Sequence, residues 1–432
     1  MTGVHVVVVH RWRAPYALYA NYIDHTRHRV SYVTSEVGRE SIPTLAAGIE
    51  TVSETDSLAQ VRPAVARLAG RFGAPAAIVA LKEDDLLNVA QLNAEYELSG
   101  RRPEDLGVFR DKLTMARAID SAGLLQPRFG SASTVDDVVA FGTRHGWPVV
   151  VKPRLGSSSE GVQVWCSDAV DPSWRPGSDG AIVQTFVDGT LLHVDGVFDG
   201  RTVGPLRVSK YLGTPLGFRS GGWVGSVEID DPAVRTVVES YAQKTLTALA
   251  DRPTVFHLEV FLKFDEAGDP YCVFVEIAAR AGGAEIPFLW REVHGYDLVG
   301  EAFRLALGAV GDFHVPTEVS APTTDDCAGL LLFPAPARRP CRITSVRTVL
   351  GTASAPSELY AEETLAVGEV VSDAPAYYEH VGGRFRFRGR STEAVEAAVR
   401  SVAQKFSVSA SHVDALGRDE LGDQELDVKD FV

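Results

Sequence analysis

Residues 255–280 read VFHLEVFLKF (255–264), DEAGDP (265–270) and YCVFVEIAAR (271–280), two runs of strand-forming residues joined by a turn. With the turn centred between Ala267 and Gly268, antiparallel pairing sets Glu259 opposite Glu276 and His257 beside Ala278. Like charges directly opposite one another on a sheet repel. A cation between them removes that penalty, and two hard oxygen donors suit Mg²⁺ carried by the phosphates of a nucleotide. Arg280 follows on the Glu276 face at the end of the strand, which brings a guanidinium close to the same point. A slip of one residue would put the carboxylates on opposite faces, so the register of this hairpin is the expectation on which the rest depends.

The chain of 432 residues is too long for one ordinary core and predicts two to four domains. Its 45% apolar and 23% charged residues are those of a soluble globular protein. A formal net charge of −15 repels polyanions, so neither nucleic acid nor an anionic membrane is an expected partner. Cys166, Cys272, Cys327 and Cys341 are dispersed, without the paired spacing of a zinc site or a disulfide framework. The N-terminus lacks the apolar core and cleavage site of a signal peptide, and no stretch reaches the ~18 apolar residues of a membrane span. A cytoplasmic location is expected, and a homodimer is the default assembly.

VHVVVV, RVSYVTS, ETVSE and AAIVAL alternate with helical patterns such as LAQVRPAVARLAGRFG, which predicts a parallel α/β sheet over residues 1–110. This Rossmann-like half lacks G-x-G-x-x-G, and the chain contains neither a P-loop nor G-x-S-x-G. FRDKLTMARAIDSAG predicts one helix ending at Gly123. A strand near Phe129, the helix TVDDVVAFGTRHG and the strand–loop–strand WPVVVKPRLGSSSEGVQVW follow. Strand patterning continues to Ala279, helix returns in YDLVGEAFRLALGAV, and VPTEVSAPTTDD reads as a linker at 315–326.

The loop RLGSSSEG offers Gly156, Ser157, Ser158, Ser159 and Gly161, whose backbone amides can approach phosphate oxygens. Lys152 at its entrance is a point charge suited to phosphate. Taken alone, a flexible hairpin tip preceded by a surface lysine is the better reading of these residues, because Gly/Ser loops are common turn chemistry.

Their order along the chain is more specific. FRDKLTMARAIDSAGLLQPRFG, VVVKPRLGSSSEGV, IVQTFVDG, HLEVF and VFVEIAARAGG together resemble the ATP-grasp superfamily over roughly residues 80–430. That resemblance implies an ATP-grasp fold, α/β and α+β in class, behind a Rossmann-like pre-ATP-grasp domain. Residues 111–188 would form the small lid domain, 189–325 the large domain and 326–432 a C-terminal subdomain. It implies phosphate contacts from Lys112 and Lys152 and cover of the triphosphate by Gly156–Gly161. Adenine would lie near Gln184, Phe186 and Val187, Mg²⁺ on Glu259 and Glu276, and the phosphate or acyl group against Arg280. Within the superfamily the chain is most similar to carboxylate–amine ligases such as L-amino acid ligases and carnosine-synthase-like enzymes. The implied activity is formation of an amide from a small-molecule carboxylate, activated by ATP as an acyl phosphate, and an amine. The pattern departs at Leu191, where many members hold ribose with an acid, and at Ala278, where many carry Asn and the L-amino acid ligases of the bacilysin type carry Ala.

Arg219, in the glycine-rich GFRSGGWVG, is a further candidate for the acid or amine, with a surface turn as the equal alternative. Glu285 is expected to orient Arg280 or to meet the amine. His193 and His257 are expected to be packed and hydrogen-bonded rather than catalytic, and His25 and His28 to be solvated. Two other functions stay open: a hydrolase using Glu259 and Glu276 as a close acid–base pair, and a nucleotide-binding protein without turnover.

Overall fold

Four consecutive valines, Val6–Val9, form the centre of strand His5–His10, and none of its residues is exposed. Alternate side chains of a strand point to opposite faces. Val6 and Val8 accordingly join Tyr19, Tyr22, Tyr32 and Phe303 in one core, while Val7 and Val9 join Val61, Val65 and Leu68 in another. The sheet is parallel, in the order Gly48–Thr51, Arg29–Thr34, His5–His10, Ala77–Ala80. Its first core is completed by the late helix Leu298–Leu307, which brings Phe303, so residues 200 positions and more downstream close the N-terminal unit. The computed structural model describes residues 3–12, 16–308, 326–373, 380–413 and 426–427. Apart from Asp326, the linker expected at 315–326 lies outside the described residues.

The stretch expected to be one helix before Gly123 is two, Pro103–Arg110 and Lys112–Ser121. Asp111 interrupts it, because its carboxylate accepts the free amides of Leu113 and Thr114 as an N-cap. A four-stranded antiparallel sheet follows, in the order Phe129–Ala132, Ala181–Thr185, Val149–Pro153, Gln163–Trp165.

The largest sheet has eight antiparallel strands, ordered Pro270–Ala278, Thr254–Phe264, Thr190–Phe198, Val203–Leu212, Val224–Glu228, Cys327–Pro334, Val381–Gly389, Leu359–Thr364. The proposed boundary at 325/326 thus falls within one sheet, to which both sides contribute strands. One face is apolar. Leu192, Leu258, Val260 and Phe274 pack under helix Pro232–Leu249, and Leu331, Phe385 and Phe387 under helix Thr392–Lys405. The other face carries an apolar cluster of Val197, Val255 and Leu330 with Leu289 and Trp290, and beside it a polar row in which the ladder aligns Glu276, Glu259, His193 and Ser209 across four adjacent strands. A small antiparallel sheet, Val370–Val371, Cys341–Arg347, Ser407–His412, Leu426–Asp427, completes the architecture. All four cysteines are free. Among the described residues no helix is long and apolar enough to cross a membrane.

Candidate active site

The hairpin sets Glu259 opposite Glu276 and His257 opposite Ala278, as the sequence predicts, but by a different route. Near the turn the pairs are Val260 with Phe274 and Phe264 with Pro270, a register that taken alone would bring Val275 opposite Glu259. The ladder shifts between Glu259 and Val260, leaving Val275 as an extra residue. Such a bulge re-aims the side chains beside it. Here it restores Glu276 to the face of Glu259, and the centring assumed for the turn is corrected by half a residue.

Two lysines approach this pair. Lys112, at the first position of its helix, places Nζ 3.5 Å from Glu276 Oε2 and donates to the Gly156 carbonyl at 3.0 Å. Lys152 is half-buried on strand Val149–Pro153, and its side chain makes neither a hydrogen bond nor an ion pair with the described residues. Burial lowers its pKa, and Glu276 only partly compensates. A lysine kept so near two carboxylates without a direct partner is suited to an anion. Arg280 is tied to Glu83, with Nε 2.8 Å and Nη2 2.5 Å from Oε2. Glu83 also accepts from Arg110.

Glu83 comes from the short 3₁₀ turn Glu83–Asp85 after the last parallel strand, and no motif in the sequence marked it. Its neighbour Asp84 pairs with Lys82 at 2.7 Å. Burial would raise that carboxylate, but Lys82 and Arg110 outweigh it and hold the pKa at about 2.

The serine loop closes against two other parts of the fold. Ser157 Oγ lies 3.5 Å from Asp84, and the Ser158 carbonyl accepts from Arg219 Nε at 2.7 Å. Gly156 and Gly161 have positive φ, as do Ser158 (57°) and Ser159 (58°), a conformation that costs an L-residue about 1 kcal/mol. Arg219 thus lies against the loop from outside, on the short helix Pro215–Arg219. Gln184 is buried mid-strand between Phe129 and Val150, while Phe186 and Val187 leave the strand, Phe186 largely exposed.

Glu285 does not orient Arg280. Ala284 adopts a left-handed φ of 53°, and Glu285 is carried away to Arg384 and Arg386, 3.2 and 3.4 Å distant. Burial raises its pKa despite these arginines. The surface positions expected for His25 and His28 are also corrected: His28 is buried, and His25 is held between the Ile23 carbonyl and the Tyr32 hydroxyl.

Behind Glu259 lies a buried polar group that the sequence did not connect. Asp195 meets Nδ1 of His193 at 2.7 Å and Nδ1 of His257 at 2.9 Å, and His193 Nε2 meets Ser226 Oγ at 2.5 Å. His257 Nε2 is 3.8 Å from Glu259 Oε1, to which Tyr211 donates at 2.9 Å. Burial opposes charge at both groups of the central pair. The imidazoles nevertheless hold Asp195 well below the usual carboxylate range, and Asp195 followed by Glu259 pushes His257 up to about 10. His193, Asp195 and His257 offer ligand atoms within 4.8 Å of one another. Both Nδ1 atoms are already committed to Asp195, which makes the group a hydrogen-bonded network.

No family model matches the sequence. Among solved structures, an L-amino acid ligase from Bacillus licheniformis superposes with a TM-score of 0.70, covering 96% of this chain and 99% of that one at 16% identity. An N5-carboxyaminoimidazole synthetase from Staphylococcus aureus complexed with ADP gives 0.63 over 93% and 97% at 13% identity. The chain has the ATP-grasp fold. In sequence it is 32% identical over 224 residues to an L-arginine-specific L-amino acid ligase of Bacillus subtilis, covering 48% of this chain and 52% of that protein. It spans about half the length of the first curated relatives it matches. Within this fold Glu259 and Glu276 occupy the eight-stranded sheet, the serine loop joins strands Val149–Pro153 and Gln163–Trp165, and Lys112 touches both.

Proposed function

We propose that this protein is an ATP-dependent carboxylate–amine ligase that joins a small carboxylic acid to an amine, with amino acids as the favoured substrate class. The observation that carries the reading is the paired carboxylates Glu259 and Glu276 facing Lys112 and Lys152, with Arg280 at the end of the same hairpin. The donor set fits both groups: two hard carboxylates suit Mg²⁺, and Lys152, whose side chain has no partner among the described residues, suits phosphates together with a loop of positive φ. ATP, when bound with Mg²⁺, supplies the phosphoryl group that makes the carboxylate an acyl electrophile.

The chain's own residues do the rest. Lys112 and Lys152 neutralise phosphate oxygens, and Arg280, aimed by Glu83, grips the substrate carboxylate through its fork. Ser157–Ser159, latched by Arg219 and Asp84, exclude water that would hydrolyse the activated acid. In this reading residues 1–110 provide Glu83 and Asp84, 111–188 form the lid, and 189–325 carry the metal carboxylates. A hydrolase built on the two carboxylates would leave both lysines without a role.

A coupled ADP-release screen of amino acids and small acids against amines tests the proposal. ADP formation that requires both an acid and an amine supports it. Failure of every pair to release ADP, or glycoside hydrolysis without ATP, would overturn it.

A further inference from the structure

The polar network behind Glu259 reaches two parts of the proposed catalytic centre from one side chain. On one side Asp195 Oδ1 holds His257 Nδ1 at 2.9 Å, which fixes the ring so that Nε2 stands 3.8 Å from Glu259 Oε1. Tyr211 donates to that same oxygen, so this half of the Glu259 carboxylate is held from two directions. On the other side lies the turn that follows Arg280. A Cβ added at Gly282 would stand 2.3 Å from Asp195 Oδ1 and 3.0 Å from His257 Nδ1. The backbone of the turn therefore rests directly on the oxygen that holds His257, and no side chain fits between them.

The second oxygen of Asp195 accepts from His193, which is anchored in turn to Ser226 two strands further across the sheet. Asp195 is 1% exposed, and both its oxygens are engaged. Its place in the ladder, opposite His257 and Arg207, fixes it on the face that carries Glu259.

We propose that Asp195 is a positioning residue that sets Glu259 and the Arg280 turn at a fixed separation, through His257 and Gly282 respectively. The inference rests on the ligase reading, because it assigns Glu259 to the metal and Arg280 to the acyl group. Partners that orient a metal ligand typically change metal affinity 10- to 100-fold when removed. Asp195→Asn keeps the shape but turns one acceptor oxygen into a donor, so that it can serve only one of the two Nδ1–H groups. Gly282→Ala pushes a methyl group onto Oδ1 without touching the chemistry of the network.

The test is Mn²⁺ uptake, followed by electron paramagnetic resonance on the full chain with a non-hydrolysable ATP analogue, beside the analogue's affinity without metal and the thermal midpoint. Both variants should weaken Mn²⁺ uptake about tenfold or more while nucleotide affinity without metal stays within twofold. Should Asp195→Asn not fold, Gly282→Ala carries the same test from the other side. Folded variants that take up Mn²⁺ as the wild type does would overturn the inference alone. A wild-type protein that takes up no Mn²⁺ with the analogue would overturn the metal assignment and the inference with it.

Discussion

Replacing Glu83 by Ala removes the acid that links the N-terminal unit to the proposed centre. Its carboxylate serves Arg280 and Arg110, whose side chains are 19% and 8% exposed. Breaking a buried pair by deleting one partner typically costs about 3–5 kcal/mol, because a charge is left uncompensated. Arg280 keeps the Ala281 carbonyl at 2.8 Å, and Arg110 keeps Asp84 at 3.3 Å. The lower end of the range, about 3 kcal/mol, is therefore expected. Urea unfolding of the wild type, Glu83→Ala, Arg110→Met and the double variant forms a cycle that isolates the pair. The double variant should recover only part of the loss, since Arg110 is no longer left as an orphaned charge but Arg280 still lacks its carboxylate. In the ligase assay Glu83→Ala should raise the KM for the acid, because Arg280 loses its tether. A loss below about 1 kcal/mol, the value of an exposed pair, would refute the claim that Glu83 is a buried strut.

Glu276→Gln should abolish ADP release with the cognate pair while leaving the thermal midpoint unchanged; wild-type turnover would remove it from the metal site. Lys152→Ala should raise the dissociation constant for ATP tenfold or more with little change in urea midpoint, since its ammonium has no partner to lose among the described residues, and an unchanged constant would count against a phosphate role. Asp85 is buried, which raises its pKa from 3.8 to about 6 despite Arg11 and Lys82. Between those values the folded state binds the extra proton, so stability falls as pH rises from 4 to 7, by about 3 kcal/mol in total. Asp85→Asn should flatten that slope and be more stable than the wild type at pH 7.5, and an unchanged slope would show that another group carries it.

The hairpin was legible because opposition of Glu259 and Glu276 follows from pairing, and alternation places Leu258 and Val260 on the other face. The Val275 bulge was not, since nothing in VFVEIA distinguishes an extra residue from a regular strand. Glu83 escaped notice because its partner Arg280 is 197 positions away, and no local pattern encodes a contact across two sheets. Asp195 was hidden for the same reason: His193, two residues along its own strand, was readable as packed, but the partnership with His257 needs the order of strands. Asp111 lay within a convincing helical period, and its capping role appears only when the backbone turns there. Glu285 shows the converse error, because five residues of sequence proximity to Arg280 suggested contact and the left-handed Ala284 carries it elsewhere.

In the proposed reaction a carboxylate is activated by phosphoryl transfer before the amine attacks. With the acid and amine that the screen selects, the acid is labelled with ¹⁸O in its carboxylate and the released phosphate is examined by mass spectrometry. One ¹⁸O should appear in phosphate for each amide formed, because the oxygen that takes the phosphoryl group leaves with it. Amide formation with unlabelled phosphate would contradict it.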